Sequence, residues 1–190
     1  MTISTPVTGD LAASGQADAS TAGGERADLL AALAKNRHFL RFTTRGLTDE
    51  QARQRTTVSE LSLGGLIKHV TAVEQGWADF ILAGPAAMKD ASAMTQDDYA
   101  QRADQFRLLP GETLAAVLAR YAEVAHRTDE LVASLPSLNA GHPLPKAPWF
   151  EPGESWSARR VLLHVIAETA QHAGHADIIR ESLDGARSMG

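Results

Sequence analysis

Residues 157–185 read SARRVLLHVIAETAQHAGHADIIRESLDG, and this stretch decides the fold. A serine opens it and a glycine closes it, the residues that commonly cap the two ends of an α-helix. Between them, at ~100° per residue, Val161, His164, Glu168, His172, His175 and Ile179 fall within a sector of roughly 80°, flanked by Val165. Such a narrow face is the one a helix packs against its neighbours, yet four of its members are polar. A carboxylate placed beside imidazoles in a core costs several kcal/mol unless it is paired or bound to a cation. The face that predicts a helix therefore also predicts a compensating partner for Glu168.

Outward from this segment, the rest of the chain supplies further amphipathic helices. LSLGGLIKHVTAVEQGW at 61–77 lies in a helix expected from Ser62 as N-cap to about Leu82, closed by Gly84 and Pro85. Leu29, Leu33, Asn36 and Leu40 recur at three- and four-residue spacing, which predicts a first helix from Glu25 to before Gly46. Thr48 and Gln51 form a capping-box pattern for a short connecting helix over 49–55. A further long helix follows Pro110, with Leu114, Val117, Leu118, Tyr121, Val124 and Leu131 on its stripe, and stops at Pro136; a helical piece over 96–107 precedes it. No alternating apolar and polar run suggests a strand series, and no repeat of 20 to 50 residues suggests a solenoid. Four long amphipathic helices bury their stripes most simply against one another, so the expected class is all-α, a four-helix bundle over residues 25–190.

Two stretches fall outside the helices. Residues 1–24 are rich in Ala, Ser, Thr and Gly, with Ile3, Val7 and Leu11 as the only large aliphatics after the initiator, and read as a disordered tail. Residues 135–156 hold five of the eight prolines together with Trp149, Phe150 and Trp156, which predicts a packed flap shaping the mouth of a pocket.

Composition narrows the function classes. The 190 residues are 44% apolar and 22% charged, enough for one core that needs no disulfides, and cysteine is absent. Thiol nucleophiles and thiolate metal sites are thereby excluded, so any metal site must use His, Asp and Glu. Eighteen Lys and Arg against 23 Asp and Glu leave a net charge of −5 and no basic surplus for binding nucleic acid. No membrane span and no secretory signal is evident, and the expected location is the cytoplasm.

The seven histidines sort by helical angle. His69 shares a face with Leu66, Val73, Gly76 and Phe80 and points inward, whereas His38, His126 and His142 read as solvated surface groups. Glu168 and His172 stand one turn apart, close enough to hold one ion, and His69 is the inward-pointing histidine outside the last helix that can complete a three-ligand set. Spacing leaves His164, Glu168 and His175 open as companions of His172. The competing structural reading is that these are hydrogen-bonded core histidines. Trp77 reads as a core or groove-lining aromatic. Arg159 and Arg160 stand where the helix dipole disfavours positive charge; a carboxylate partner is conceivable, but the expectation is solvent exposure. Gly64 and Gly65 allow a ligand to approach closely, without the strand and Lys-Ser/Thr pair of a phosphate loop.

The segments at 61–77 and 157–185, with LLAALAKNRHFLRFTTRGLTDEQARQRT upstream, closely resemble the DinB-like superfamily, specifically its branch related to mycothiol-dependent enzymes, from Ala27 to Gly185. The resemblance implies a four-helix bundle holding a divalent metal through His69, Glu168 and His172. The superfamily often has His at the position of Glu168, and the mycothiol-linked members are similar to this chain in carrying the carboxylate. His175 is then expected as a catalytic residue touching substrate or as a neighbour of the ligands, and His164 as a core residue. Similar proteins include thiol S-transferases and a mycothiol-dependent maleylpyruvate isomerase. The expected activity is a metal-dependent S-transferase that activates mycothiol toward an electrophilic substrate. Zinc is the metal best matched to two nitrogens and one oxygen, with nickel and manganese as alternatives. The rival readings are a non-catalytic metal-binding or stress-responsive interaction module, and an isomerase of an unsaturated dicarboxylate. The expected partners are the small-molecule thiol and electrophile; a homodimer is compatible, although no exposed heptad seam is visible.

Overall fold

A computed structural model describes residues 14–188 of the chain, with side chains from residue 24 onward. Its helices are α1 (Ser14–Phe42), α2 (Asp49–Arg53), α3 (Leu63–Ala83), α4 (Gln96–Asp104), α5 (Leu114–Ser134) and α6 (Ala158–Asp184). The four long ones form the bundle: α6 packs on α1 and α3, and α5 packs on α3 and, less extensively, on α1. The chain is all-α in architecture, as expected. Among the described residues, no helix is long and apolar enough to cross a membrane.

Local chemistry accounts for the helix limits. Ser62, Thr113 and Ser157 cap α3, α5 and α6 by accepting the backbone N–H three residues on, and Thr48 and Thr95 make full capping boxes with Gln51 and Asp98. Gly185 closes α6 in the left-handed conformation. The expected tail over 1–24 lies outside the described residues for 1–13. From Ser14 the backbone is already helical, upstream of the start read at Glu25.

The core runs the length of the bundle. Leu40, Leu66, Ile67, Val70, Tyr121, Ala176 and Ile179 fill one end, and Leu33, Trp77, Phe80, Trp156, Val161 and Val165 the other. Leu33, Leu40, Leu66, Ile67 and Phe80 are at most 1% exposed, and full burial of such a side chain contributes roughly 1.5–3 kcal/mol. Within this apolar interior, Arg37 of α1 forms a two-pronged ion pair with Glu74 of α3, its Nε donating to Oε2 at 3.1 Å, while its Nη1 reaches Asp129 Oδ1 of α5 at 2.8 Å. The charged triad ties three helices together.

The flap contains a two-stranded antiparallel ribbon, β1 (Gly141–Pro143) with β2 (Ser155–Ser157), in which His142 faces Trp156. It folds back over the end of α3 and corrects one expectation. His142 is not a solvated surface group: it is half-buried, its Nε2 lies 3.2 Å from the Ile81 carbonyl, and its ring meets the edge of Phe80. The room comes from Gly84 at φ +61°, where a Cβ would stand 2.7 Å from the His142 ring. His38 and His126 are exposed as read. Arg159, expected in solvent, instead donates from Nη2 to Glu25 Oε2 at 2.9 Å, because the part of α1 carrying Glu25 lies alongside the start of α6. Arg160 is exposed and covers the Trp156 ring.

Candidate metal centre

α3 and α6 face each other where His69, Glu168 and His172 meet. One ligand atom from each of the three lies within 4.8 Å of the others. The i, i+4 spacing on α6 sets His172 Nε2 3.6 Å from Glu168 Oε2, and the His69 and His172 rings meet edge to face with centroids 4.8 Å apart.

The loop after α4 closes over this cluster because of two glycines. A Cβ on Gly65 would stand 1.8 Å from the Phe106 carbonyl oxygen, and one on Gly64 would stand 2.4 Å from the Leu108 side chain. The close approach they permit is that of the chain itself, not of a ligand as the sequence suggested. It lays the Phe106 ring on His69 at a centroid distance of 4.0 Å.

Burial shapes the protonation of these histidines. It drives His69 from the ordinary 6.5 to about 4, with the His172 imidazole and Arg102 adding to the effect and Gln105 opposing it. Burial also lowers His172, Glu168 opposing and His175 assisting, and lowers His164, with Glu168 opposing and Arg160 assisting. All three are therefore neutral imidazoles near pH 7, the form in which a nitrogen can ligate a metal. His69 Nδ1 is buried without a hydrogen-bond partner, a costly condition that a bound cation relieves. Two imidazoles and a carboxylate form a donor set suited to a divalent cation, and the residues present fit one.

A cavity of about 580 Å³ opens onto this cluster, with His69, His164 and Glu168 in its wall. Trp77, Phe150 and Trp149 supply its aromatic side, and α4 with the residue that follows it contributes Gln101, Arg102 and Gln105. The flap forms its rim through Pro145 and Ala147, as the sequence suggested for residues 135–156. Trp77 is both 8% exposed and part of the wall, stacked on Trp156.

Of the two remaining histidines of α6, His164 departs from its expected place and His175 takes one of its two, as a neighbour of the ligands. His164, read as core, stands in the cavity wall edge-on to the stacked Trp77 and Trp156 rings, with Nε2 4.0 Å from Glu168 Oε1. His175 is not among the residues lining the cavity; its Nδ1 lies 3.4 Å from His172 Nδ1, one turn along α6. The sequence reading also missed α4 as a wall of the site, because its residues carry no apolar period and α4 contains no buried side chain.

No curated protein matches the chain. The family model described as mycothiol-S-transferase matches residues 28–185, which include α3, α4, α5, the flap and α6. With a match over that much of its length, the chain belongs to the mycothiol-S-transferase family of the DinB-like superfamily.

Proposed function

We propose that this protein is a divalent-metal-dependent S-transferase that activates mycothiol toward an electrophilic substrate, with His69, Glu168 and His172 as the metal ligands. The observation that carries this reading is the convergence of those three donors within 4.8 Å beside a cavity; membership of the family supplies the thiol. A divalent cation held there favours the deprotonated form of a coordinating thiol at neutral pH, which makes an exogenous thiol nucleophilic. Three protein ligands leave a coordination position for it. Zinc is the metal proposed, from the two-nitrogen, one-oxygen donor set.

The chain's own residues do the remaining work. His69 and His172 present neutral nitrogens, and the Phe106 ring excludes water from the α4 side of His69. His164 and His175 act as positioning residues, the first near Glu168 and the second near His172. Trp77 and Phe150 give the electrophile an apolar wall.

The rival readings fit the geometry less well. A non-catalytic metal-binding module has no use for a cavity of this size beside the ligands. A dicarboxylate isomerase needs two free cations, whereas of the two basic residues in the wall Lys89 is held by Asp98 at 2.7 Å. The test is consumption of mycothiol by the metal-loaded protein with a panel of electrophiles. Conjugate formation that disappears on chelation is expected; no conjugate above background with the metallated protein overturns the reading in favour of the binding module.

A further inference from the structure

We propose that the electrophile taken by this cavity has a flat, apolar body and carries an anionic group, the body lying against Trp149 and Trp77 and the anion meeting Arg102. This rests on the transferase reading and names the substrate class of the same site.

The charges lining the cavity leave one cation unmatched. Lys89 donates to Asp98 Oδ1 at 2.7 Å, and Asp98 also accepts from Thr95, so that pair is closed. Glu168 belongs to the proposed metal ligands. Among the described residues Arg102 has no carboxylate partner, and its side chain hydrogen-bonds only from Nη1 to the Met94 sulfur at 3.5 Å. It is exposed and lines the cavity. A guanidinium free of protein carboxylates, at the edge of a low-dielectric cavity, suits a carboxylate or another anion.

The aromatic side points the same way. Trp149 is 60% exposed and lies in the cavity wall, whereas Phe150 and Trp156, the other aromatics of the flap, pack against Trp77. The Arg102 guanidinium stands 5.9 Å from the Trp149 ring centroid, across the mouth from α4 to the flap. Trp77 continues the apolar surface inward. A planar molecule entering between them meets a ring surface and a positive charge together, and the proposed metal ligands lie beyond.

The test uses two unreactive probes of the same shape, naphthoate and its neutral amide, titrated into the metal-loaded protein by tryptophan fluorescence. Naphthoate is expected to bind about tenfold more tightly than naphthamide, the range of one charge-assisted hydrogen bond. Added salt should narrow that ratio. In Arg102→Gln, a change at an exposed position, the ratio should collapse toward one, and Arg102→Lys should restore part of it. Trp149→Ala should weaken both probes alike. Equal binding of the two probes, or a ratio unchanged in Arg102→Gln, overturns the proposal. So does displacement of naphthoate by excess mycothiol, which would give the Arg102 corner to the thiol. Turnover of a small neutral electrophile, measured separately, reports on the transferase reading. Turnover without a probe preference removes the anion site alone, and a probe preference without turnover removes the transferase reading, and with it the electrophile, leaving only an anion-binding cavity.

Discussion

Phe106 lies nearly flat on His69, centroids 4.0 Å apart and planes tilted by 24°, because Gly65 lets the backbone carrying that ring pass against α3. One small residue at the start of a helix thus sets the cover of an imidazole one turn further on. Local capping at Ser62 fixes where the helix starts, and the missing Cβ fixes what can lie over it.

Gly65→Ala puts a methyl group 1.8 Å from the Phe106 carbonyl oxygen, a backbone atom that cannot simply swing away. The expected outcome is a loss of about 1–3 kcal/mol of stability, with weakened metal retention as the cover of His69 shifts. Thermal unfolding and metal titration on the same variant check it; unchanged values for both would refute the packing argument.

Glu74→Gln leaves the Arg37 guanidinium without its main counter-charge in an interior where Glu74 is fully buried and Arg37 is 4% exposed. A loss of about 3–5 kcal/mol is expected in urea unfolding, since breaking a buried pair costs more than the pair itself contributes. Asp129 moderates that loss. Replacing both partners with apolar residues of similar volume, Arg37→Met with Glu74→Leu, should recover much of the stability.

His164→Ala and His175→Ala remove groups next to the proposed ligands rather than the ligands themselves. Each should lower metal affinity by roughly tenfold to a hundredfold without unfolding the bundle. Competition with a chromophoric chelator reads the affinity. Wild-type affinity in both variants would mean that neither histidine positions its neighbour.

Asp98 is held down to about 2 by the Lys89 ammonium and by the Thr95 backbone and hydroxyl. The folded value lies below the ordinary 3.8, so the carboxylate stabilises the fold above that pH and its contribution is lost as pH falls through about 2. The gap in unfolding midpoint between wild type and Asp98→Asn should be open near neutrality and close in acid. A gap independent of pH would show that the carboxylate's charge is not what matters there.

Much of the bundle was legible because its determinants are local. Ser62, Ser157 and Gly185 cap helices through bonds within a few residues of themselves, and the inward faces of α3 and α6 follow from their own periodicity. That periodicity, with the family resemblance, also pointed to His69, Glu168 and His172. The features that escaped depend on which element arrives from elsewhere. Gly64 and Gly65 make sense only once residues 106–108 lie across them, and His142 is half-buried only because the ribbon folds onto Gly84. Arg37 and Glu74 each break an apolar stripe, and neither reveals its partner across 37 residues. His164 lies on the packing face by angle, yet the bundle opens there into a cavity bounded by α4 and the flap.

Metal content per chain tests the central claim most directly. Wild-type protein loaded with zinc and freed of excess should retain about one ion per chain, as one three-residue donor set implies. His69→Ala, Glu168→Ala and His172→Ala should each lose most of it while circular dichroism stays helical. A wild-type protein that retains no metal, or a His172→Ala variant that retains as much as wild type, would contradict the account.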